Sequence, residues 1–299
     1  MNLKFLIVLV NYNNWVDTSE CVDSLKNAGI EISNILIIEN DSENDSFFQL
    51  QRLFPDIKIL KQNQNKGFSG GNNIGISYAL HHHFEYVILL NNDTLIEKDA
   101  ISVLIEKMDI HKEATLGTGQ IRYYPDKNKI WYAGGKLIRW RGLAIHNFEN
   151  KYADEINHYK DEYVTFASGC YLCIRISDID ILGLLDEKFF LYLEDIEYSA
   201  RAVRLKLKIL YIPSSVIYHK CRGERQLKEQ TLYYAVRNRN LLIEKSFPKI
   251  ARIYFLIVIN LKMIFWFFKN RKLYNAAKMG VLNYKEGIFG EINLDLLNG

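Results

Sequence analysis

The sequence predicts an α/β fold, one large domain over residues 1–245 followed by a helical appendage over residues 246–299. Three observations carry that prediction. Short apolar runs, such as residues 5–10 and 86–90, stop abruptly in clusters of Asn and Asp, as strands buried on both faces do. Between these runs, apolar residues recur at helical spacing. Beyond Pro248 the composition shifts to a long apolar segment, residues 253–268.

The bulk numbers agree. A chain of 299 residues, 48% hydrophobic and 24% charged, can bury a sizeable core and is not disordered. A net charge of +3 gives no basis for nucleic-acid binding. Tyr (19) and Phe (16) supply rings either for a sugar or base pocket or for the core. Of Cys21, Cys170, Cys173 and Cys221 only the middle two are close, and no second pair completes a zinc site. Free thiols in a reducing compartment are expected. The N-terminus lacks a secretory pattern and reads as the first strand of a cytoplasmic protein.

In chain order, residues 5–10 form a strand ended by Asn11-Tyr12-Asn13-Asn14. Residues 15–28 form a helix stopped by Gly29, and residues 32–38 a second strand ending in Glu39-Asn40-Asp41-Ser42. After another helix and a short strand at 57–60 comes a polar, glycine-rich loop through Lys66, Gly67, Gly70, Gly71, Asn72 and Gly75. Its glycines allow tight backbone geometry, and Ser69 is the candidate N-cap of the helix it opens. The spacing matches neither the dinucleotide fingerprint nor the P-loop. His81-His82-His83 reads as a polar helix end.

Residues 86–90 then deliver Asn91, Asn92 and Asp93 to a strand's carboxyl end. Open α/β sheets keep their ligand crevice there, and a carboxylate in that place suits a hard cation carrying phosphates. Plain turn chemistry is the competing reading. Residues 101–108 are helical, residues 114–121 return to the sheet, and Trp131-Tyr132-Ala133-Gly134-Gly135 is an aromatic-glycine turn. Residues 147–162 are polar, either a lid over the crevice or a solvent loop. An aromatic run at 184–193 leads to Glu194-Asp195-Ile196-Glu197 at the start of a helix on which Asp195, Tyr198, Ala202 and Leu205 share a face. Carboxylates at a helix start also have a purely electrostatic rationale. A last short strand spans 209–213, followed by 216–219 with His219, then Cys221-Arg222-Gly223. In the helix at 225–245, Arg237 and Arg239 cannot share a face, so one at most meets a polyanion.

Residues 253–268 are interrupted by Asn260 and Lys262 and flanked by Arg252, Lys269, Arg271 and Lys272. An interfacial helix anchored by Trp266 fits this pattern best. Packing on the main domain or a twin subunit is the alternative, and a spanning helix fits least.

With these segments placed, the chain resembles the family 2 inverting glycosyltransferases of the GT-A fold, nearest to rhamnosyltransferase-like members that build bacterial O-antigen, capsule and other surface polysaccharides. The matching pieces are Val8-Leu9-Val10-Asn11-Tyr12-Asn13, Ile38-Glu39-Asn40-Asp41-Ser42, Asn65-Lys66-Gly67-Phe68 with Gly70-Gly71-Asn72-Asn73-Ile74-Gly75, Leu90-Asn91-Asn92-Asp93, Ala167-Ser168-Gly169, Glu194-Asp195 and His219. They fall in family order over residues 4–240.

The resemblance implies a mixed central sheet flanked by helices and a nucleotide-sugar donor, dTDP-rhamnose or a UDP-sugar, held with Mg2+ or Mn2+. It implies that Asn11, Tyr12 and Asn40 surround the nucleoside and that Glu39, where the family more often has Asp, accepts from a base N–H. Lys66, Gly67, Asn72, Asn91, Asn92 and Arg237 are the further donor-side candidates. Asp93, with His219, would hold the cation. Asp195 would be the base, with Glu194 beside it. Trp131, Gly169, Glu194 and Glu197 are candidates for the acceptor side, Glu197 otherwise a partner for Arg201. The acceptor would be a lipid-linked saccharide met at the inner face of the cytoplasmic membrane, with a homodimer through the C-terminal helices as a further possibility. A carbohydrate-binding scaffold that keeps the fold is the non-enzymatic alternative.

Overall fold

The computed structural model describes residues 4–156, 160–221 and 228–292. Strand β1 (Phe5–Asn11) occupies the middle of a large mixed sheet and is followed by helix α1 (Trp15–Asn27). Strand β2 (Ile35–Glu39) starts later than its apolar run, because Ile32–Asn34 form a 3-10 turn. Next come α2 (Ser46–Leu53), β3 (Lys58–Lys61), α3 (Gly67–His81), β4 (Tyr86–Leu90), β5 (Thr94–Ile96), α4 (Ala100–Ile110) and β6 (Ala114–Tyr123). Beyond them lie β7 (Ile130–Tyr132), β8 (Gly135–Ile138), β9 (Leu143–His146), β10 (Glu162–Val164), β11 (Tyr171–Arg175), α5 (Ile179–Leu182), α6 (Glu194–Arg204) and β12 (Lys208–His219).

The main strand order is β10-β12-β6-β11-β4-β1-β2-β3, with β5 on β12 and β7 on β6; β8 and β9 form a separate hairpin. β1 runs parallel to both β2 and β4, whereas β11 is antiparallel to β4 and β6. The expected mixed sheet is therefore present. β2 and β4 are buried along their whole length, which explains their unbroken apolar composition.

Helix α3 lies unusually close to β1. A Cβ built on Gly75 would come within 2.4 Å of Val8 Cγ1, and one on Gly71 within 2.9 Å of Val10 Cγ1. Both distances are shorter than carbon atoms tolerate, so the glycines set the helix–strand gap.

Several local expectations change. Ser69 is not the N-cap of α3: the helix begins at Gly67, and Ser69 is buried in its first turn. The capping acceptor is the Phe190 carbonyl, which takes the N–H groups of Phe68 (2.7 Å) and Ser69 (3.4 Å). The stretch 131–135 is not a single turn, since Trp131 and Tyr132 belong to β7 and Gly135 opens β8. The segments around Pro213 are one continuous strand, β12, whose register against β6 shifts between Ile212 and Val216. That irregularity absorbs a proline without an N–H to donate. Leu205 ends α6 as an exposed C-cap and does not share the buried face of Tyr198 and Ala202.

Helix α7 (Glu229–Ser246) starts within the predicted span; Arg222, Gly223 and the helical expectation over 225–227 lie outside the described residues. It packs with α8 (Lys249–Lys269) and α9 (Arg271–Glu286) around a second core that includes Val236, Ile243, Phe255, Ile259, Trp266 and Ala277. The opposite face of α8 is uncovered: Leu261 is 64% exposed, Phe265 60% and Phe268 78%. Among the described residues α8 is the one helix long and apolar enough to cross a membrane, by length and composition. Asn260 donates back to the Leu256 carbonyl (2.7 Å), so its amide interrupts the apolar face less than its identity suggests.

Candidate active site

A crevice of about 1090 Å³ opens at the carboxyl ends of β1 and β4. Here the chain leaves β1 toward β2 and β3 and then crosses back through α3 to β4 on the other side. This is a topological switch point, where strand ends diverge and leave room for a ligand. Tyr12, Asn40, Gly67, Asn72, Asn91, Asn92 and Asp93 all line it. Lys66 does not line it; its N–H donates to Asn40 Oδ1 at 3.0 Å and so helps hold a residue that does. No described residue of the 147–162 segment lines the crevice. That segment is tied by backbone bonds alongside β7, as in Ile130 N–H to the Lys151 carbonyl (2.9 Å), so the lid reading does not hold for its described part.

Three donor-side expectations change. Glu39 is fully buried; its Oε2 accepts from Asn11 Nδ2 (2.6 Å) and its Oε1 from the Ser42 N–H (2.9 Å). It does not face the crevice. Asn11 is equally buried and accepts from Thr18 Oγ1 (2.7 Å), which in turn accepts from Asn92 Nδ2 (2.8 Å). Glu39 and Asn11 therefore act as scaffolding behind Asn92. Arg237 is also fully buried: it donates to the Gly290 carbonyl (2.8 Å), Asn238 Oδ1 (3.0 Å) and the Lys188 carbonyl (3.3 Å), and lies over the Tyr233 and Tyr234 rings. Its charge is used inside the helical layer, and Arg237 does not itself line the crevice.

At the other flank, β12 carries His219 to Asp93. His219 Nε2 lies 3.1 Å from Asp93 Oδ1 and 3.2 Å from Oδ2, while His219 Nδ1 lies 2.9 Å from Cys221 Sγ. Burial disfavours the charged ring, yet hydrogen bonds to Asp93 and Cys221 outweigh it and lift His219 to about 9. Asp93 Oδ1 is buried, and because the His219 hydrogen bond is directed at Oδ2, Oδ1 is paired with the ring only by proximity. One carboxylate oxygen of this kind beside an imidazole nitrogen fits a divalent cation that takes its remaining ligands from phosphate and water. Among the described residues there is no group of three His, Cys, Asp or Glu that could hold a metal by itself. Lys220, which the sequence did not single out, donates its N–H to the Asp93 carbonyl (2.9 Å) and pairs its ammonium with Asp17 and Glu20.

The second acidic group opens helix α6 next to the Phe68 side of the crevice. Residues Phe190, Tyr192 and Leu193 all have positive φ (47°, 70° and 70°). Such a turn is costly outside glycine, and here it aims the start of α6 at Gly169. Asp195 Oδ2 accepts from the Gly169 N–H (3.0 Å) and Oδ1 from the Ile196 N–H (2.8 Å). A Cβ on Gly169 would stand 3.1 Å from the Phe68 ring and 3.4 Å from Asp195 Cβ, so Gly169 packs between Asp195 and a ring that lines the crevice, and Asp195 itself is half-buried. Glu194 is buried, and its Oε2 has no hydrogen-bond partner. Burial raises both carboxyls, and Asp195 pushes Glu194 up further. Asp195, with two N–H donors, is the better home for a negative charge; Glu194, with an unpartnered oxygen, is the better home for the proton.

Glu197 is not on the acceptor side. It is buried in a bidentate pair with Arg201, which also holds the Leu182 and Leu184 carbonyls. Trp131 packs edge-on against both His146 and His219, with ring centroids 4.6 and 5.0 Å apart. His146 is a residue that sequence reasoning missed: it stacks on Phe166, donates from Nδ1 to the Trp131 carbonyl (2.9 Å), and stands close enough to Asp195 for a proton on its ring to favour the ionised carboxylate. A single His in a short, half-buried hairpin strand gives no local signal for this.

The family model described as Glycosyl transferase family 2 matches residues 6–182. The low-salt glycan biosynthesis hexosyltransferase Agl10 of Haloferax volcanii is 26% identical over 252 residues, covering 81% of this chain and 76% of that protein. The dTDP-rhamnosyl transferase RfbF of Shigella flexneri is 26% identical over 266 residues, 82% of each. Among solved structures, GalNAc-T7 with UDP, GalNAc and Mn2+ aligns with a TM-score of 0.62 at 17% identity. The alignment covers 81% of this chain and 48% of that one, a likeness of fold.

Proposed function

The chain belongs to glycosyl transferase family 2, and from that premise we propose that it moves rhamnose from dTDP-rhamnose to a hydroxyl of a saccharide acceptor, inverting the anomeric centre. The observation that carries the reading is the placement of two acidic groups about one aromatic wall. Asp93 faces the crevice beside His219, and Asp195 is held by the Gly169 N–H next to the Phe68 ring that lines the same crevice. The rhamnosyl assignment is supported by the likeness to the RfbF transferase.

In this reading the diphosphate lies toward Asn91, Asn92 and Asp93. Asp93 and His219 would hold a divalent cation, which when bound neutralises the departing diphosphate. Asp195 takes the proton of the acceptor hydroxyl as its oxygen bonds to the sugar's anomeric carbon, and the bond to the diphosphate oxygen breaks on the opposite face. Glu194 keeps the pair's proton and so leaves Asp195 ionised. Calorimetric titration with dTDP-rhamnose and with UDP-sugars, with Mn2+ and again with chelator, tests the donor. Metal-dependent preference for dTDP-rhamnose is expected; preference for a UDP-hexose or UDP-N-acetylhexosamine overturns the rhamnosyl assignment, and no donor binding at all returns the scaffold reading.

The lipid-linked acceptor would be met at the membrane surface through α8. Ile253, Ile257, Leu261, Ile264 and Phe268 form an exposed stripe at helical spacing, and Arg252, Lys262, Lys269 and Arg271 are exposed around it. A spanning helix would not keep Arg252 and Lys262 within its length, whereas a helix lying in the headgroup layer would. Co-sedimentation with vesicles containing anionic lipid is expected for the full chain and is lost in Ile264→Ser/Phe265→Ser/Phe268→Ser with nucleotide binding intact. Retained sedimentation refutes this attachment. A dimer that dissociates in the same variant would instead assign the stripe to a second copy.

A further inference from the structure

The segment after α9 closes one flank of the crevice. Gly287 (φ +71°) ends the helix, and the chain then runs back as a short strap to Ile292. Three bonds hold the strap at three successive residues. The Gly290 carbonyl accepts from Arg237 Nη1 (2.8 Å), Glu291 Oε1 accepts from Asn65 Nδ2 (2.8 Å), and the Ile292 N–H donates to Tyr234 Oη (3.0 Å). Ile292 is buried in a cluster with Phe190, Tyr233 and Tyr234. Arg237 is thus a positioning residue for this strap.

Glu291 and Ile292 line the crevice together with Tyr12, Asn13 and Asn65. The sheet order says which end this is. Asp93 follows β4, Tyr12 follows β1, Asn40 follows β2 and Asn65 follows β3, in the spatial order β4-β1-β2-β3. Crossing from Asp93 toward Asn65 leads away from the diphosphate end, so the strap stands at the nucleoside end. The acceptor expected there, Glu39, is buried with both oxygens engaged. Glu291 is exposed, and its second oxygen has no hydrogen-bond partner among the described residues.

We propose that residues 290–292 form a wall of the nucleoside subsite and that Glu291 accepts a hydrogen bond from the imide N–H of a pyrimidine base. A carboxylate only accepts, and the imide N–H of uracil or thymine is a donor of the complementary kind. The inference rests on the donor being a pyrimidine nucleotide sugar.

The test is calorimetric binding of UDP, dTDP and N3-methyl-UDP to the full chain and to Glu291→Ala, with Mn2+-pyrophosphate as control. Losing a hydrogen bond to a charged group weakens nucleotide binding by about tenfold or more, with pyrophosphate affinity unchanged in Glu291→Ala. The N3-methyl group costs the unaltered chain a similar factor and costs Glu291→Ala almost nothing. Unchanged UDP affinity in Glu291→Ala, an equal methyl penalty in both proteins, or a parallel loss of pyrophosphate binding overturns the assignment. If the unaltered chain binds Mn2+-pyrophosphate but no nucleoside diphosphate, the nucleotide-sugar reading itself fails.

Discussion

Asp195→Asn lowers turnover by about 10²–10⁴-fold, the usual worth of a positioned general base, while donor affinity stays nearly unchanged. The substitution keeps the size of the side chain, and one oxygen can still accept from the Gly169 or Ile196 N–H. What it removes is the group that takes the acceptor's proton. Single-turnover rates and donor calorimetry on the same protein separate the two effects, and a variant that still turns over normally would reject Asp195 as the base. A pH profile gives the sign. Burial raises Asp195 above the ordinary aspartate value, so in the parent enzyme kcat/KM falls as pH drops through that raised value and protonates the base. The acidic limb disappears in Asp195→Asn.

Asp93→Ala abolishes the metal dependence of donor binding and weakens it on the order of 10²-fold in the presence of Mn2+. Chelator brings the parent protein to the affinity of the variant. A second readout needs no donor. Burial by itself favours the neutral imidazole, and Asp93 is the first of the groups that raise His219 to about 9. Without that carboxylate the ring's pKa falls, which an NMR titration of His219 in metal-free protein detects. Donor binding that responds to Mn2+ as before would remove Asp93 from the cation site.

Much of this arrangement is legible in the sequence because it is encoded locally. Unbroken apolar runs ending in Asn11, Glu39 and Asn91 locate the carboxyl edge of the sheet, since a strand buried on both faces has no other way to be written. Asp93, Asn72 and Tyr12 follow from that edge. What fails to read out is pairing across sequence distance. Glu39 looks available until Asn11, 28 residues earlier, claims one oxygen and the Ser42 N–H the other. Arg237 looks like an anion binder until the Gly290 carbonyl, 53 residues later, takes its guanidinium. Ser69 has the right chemistry for a cap, but the Phe190 carbonyl arrives first, carried by a turn whose positive φ values no single-residue propensity announces. Glu197 follows the same rule at short range, its carboxylate captured by Arg201 one helical turn on.

The close seating of α3 on β1 has a consequence for how substitutions combine. Val8 and Gly75 fill one volume between them, as do Val10 and Gly71, because the missing Cβ on the helix is the space the valine methyls occupy. Enlarging the glycine alone displaces the helix that carries Asn72, and trimming the valine alone leaves a void. Doing both exchanges one filling for another. The two positions in each pair therefore behave as a single variable, and their effects on stability and on the crevice are antagonistic rather than additive.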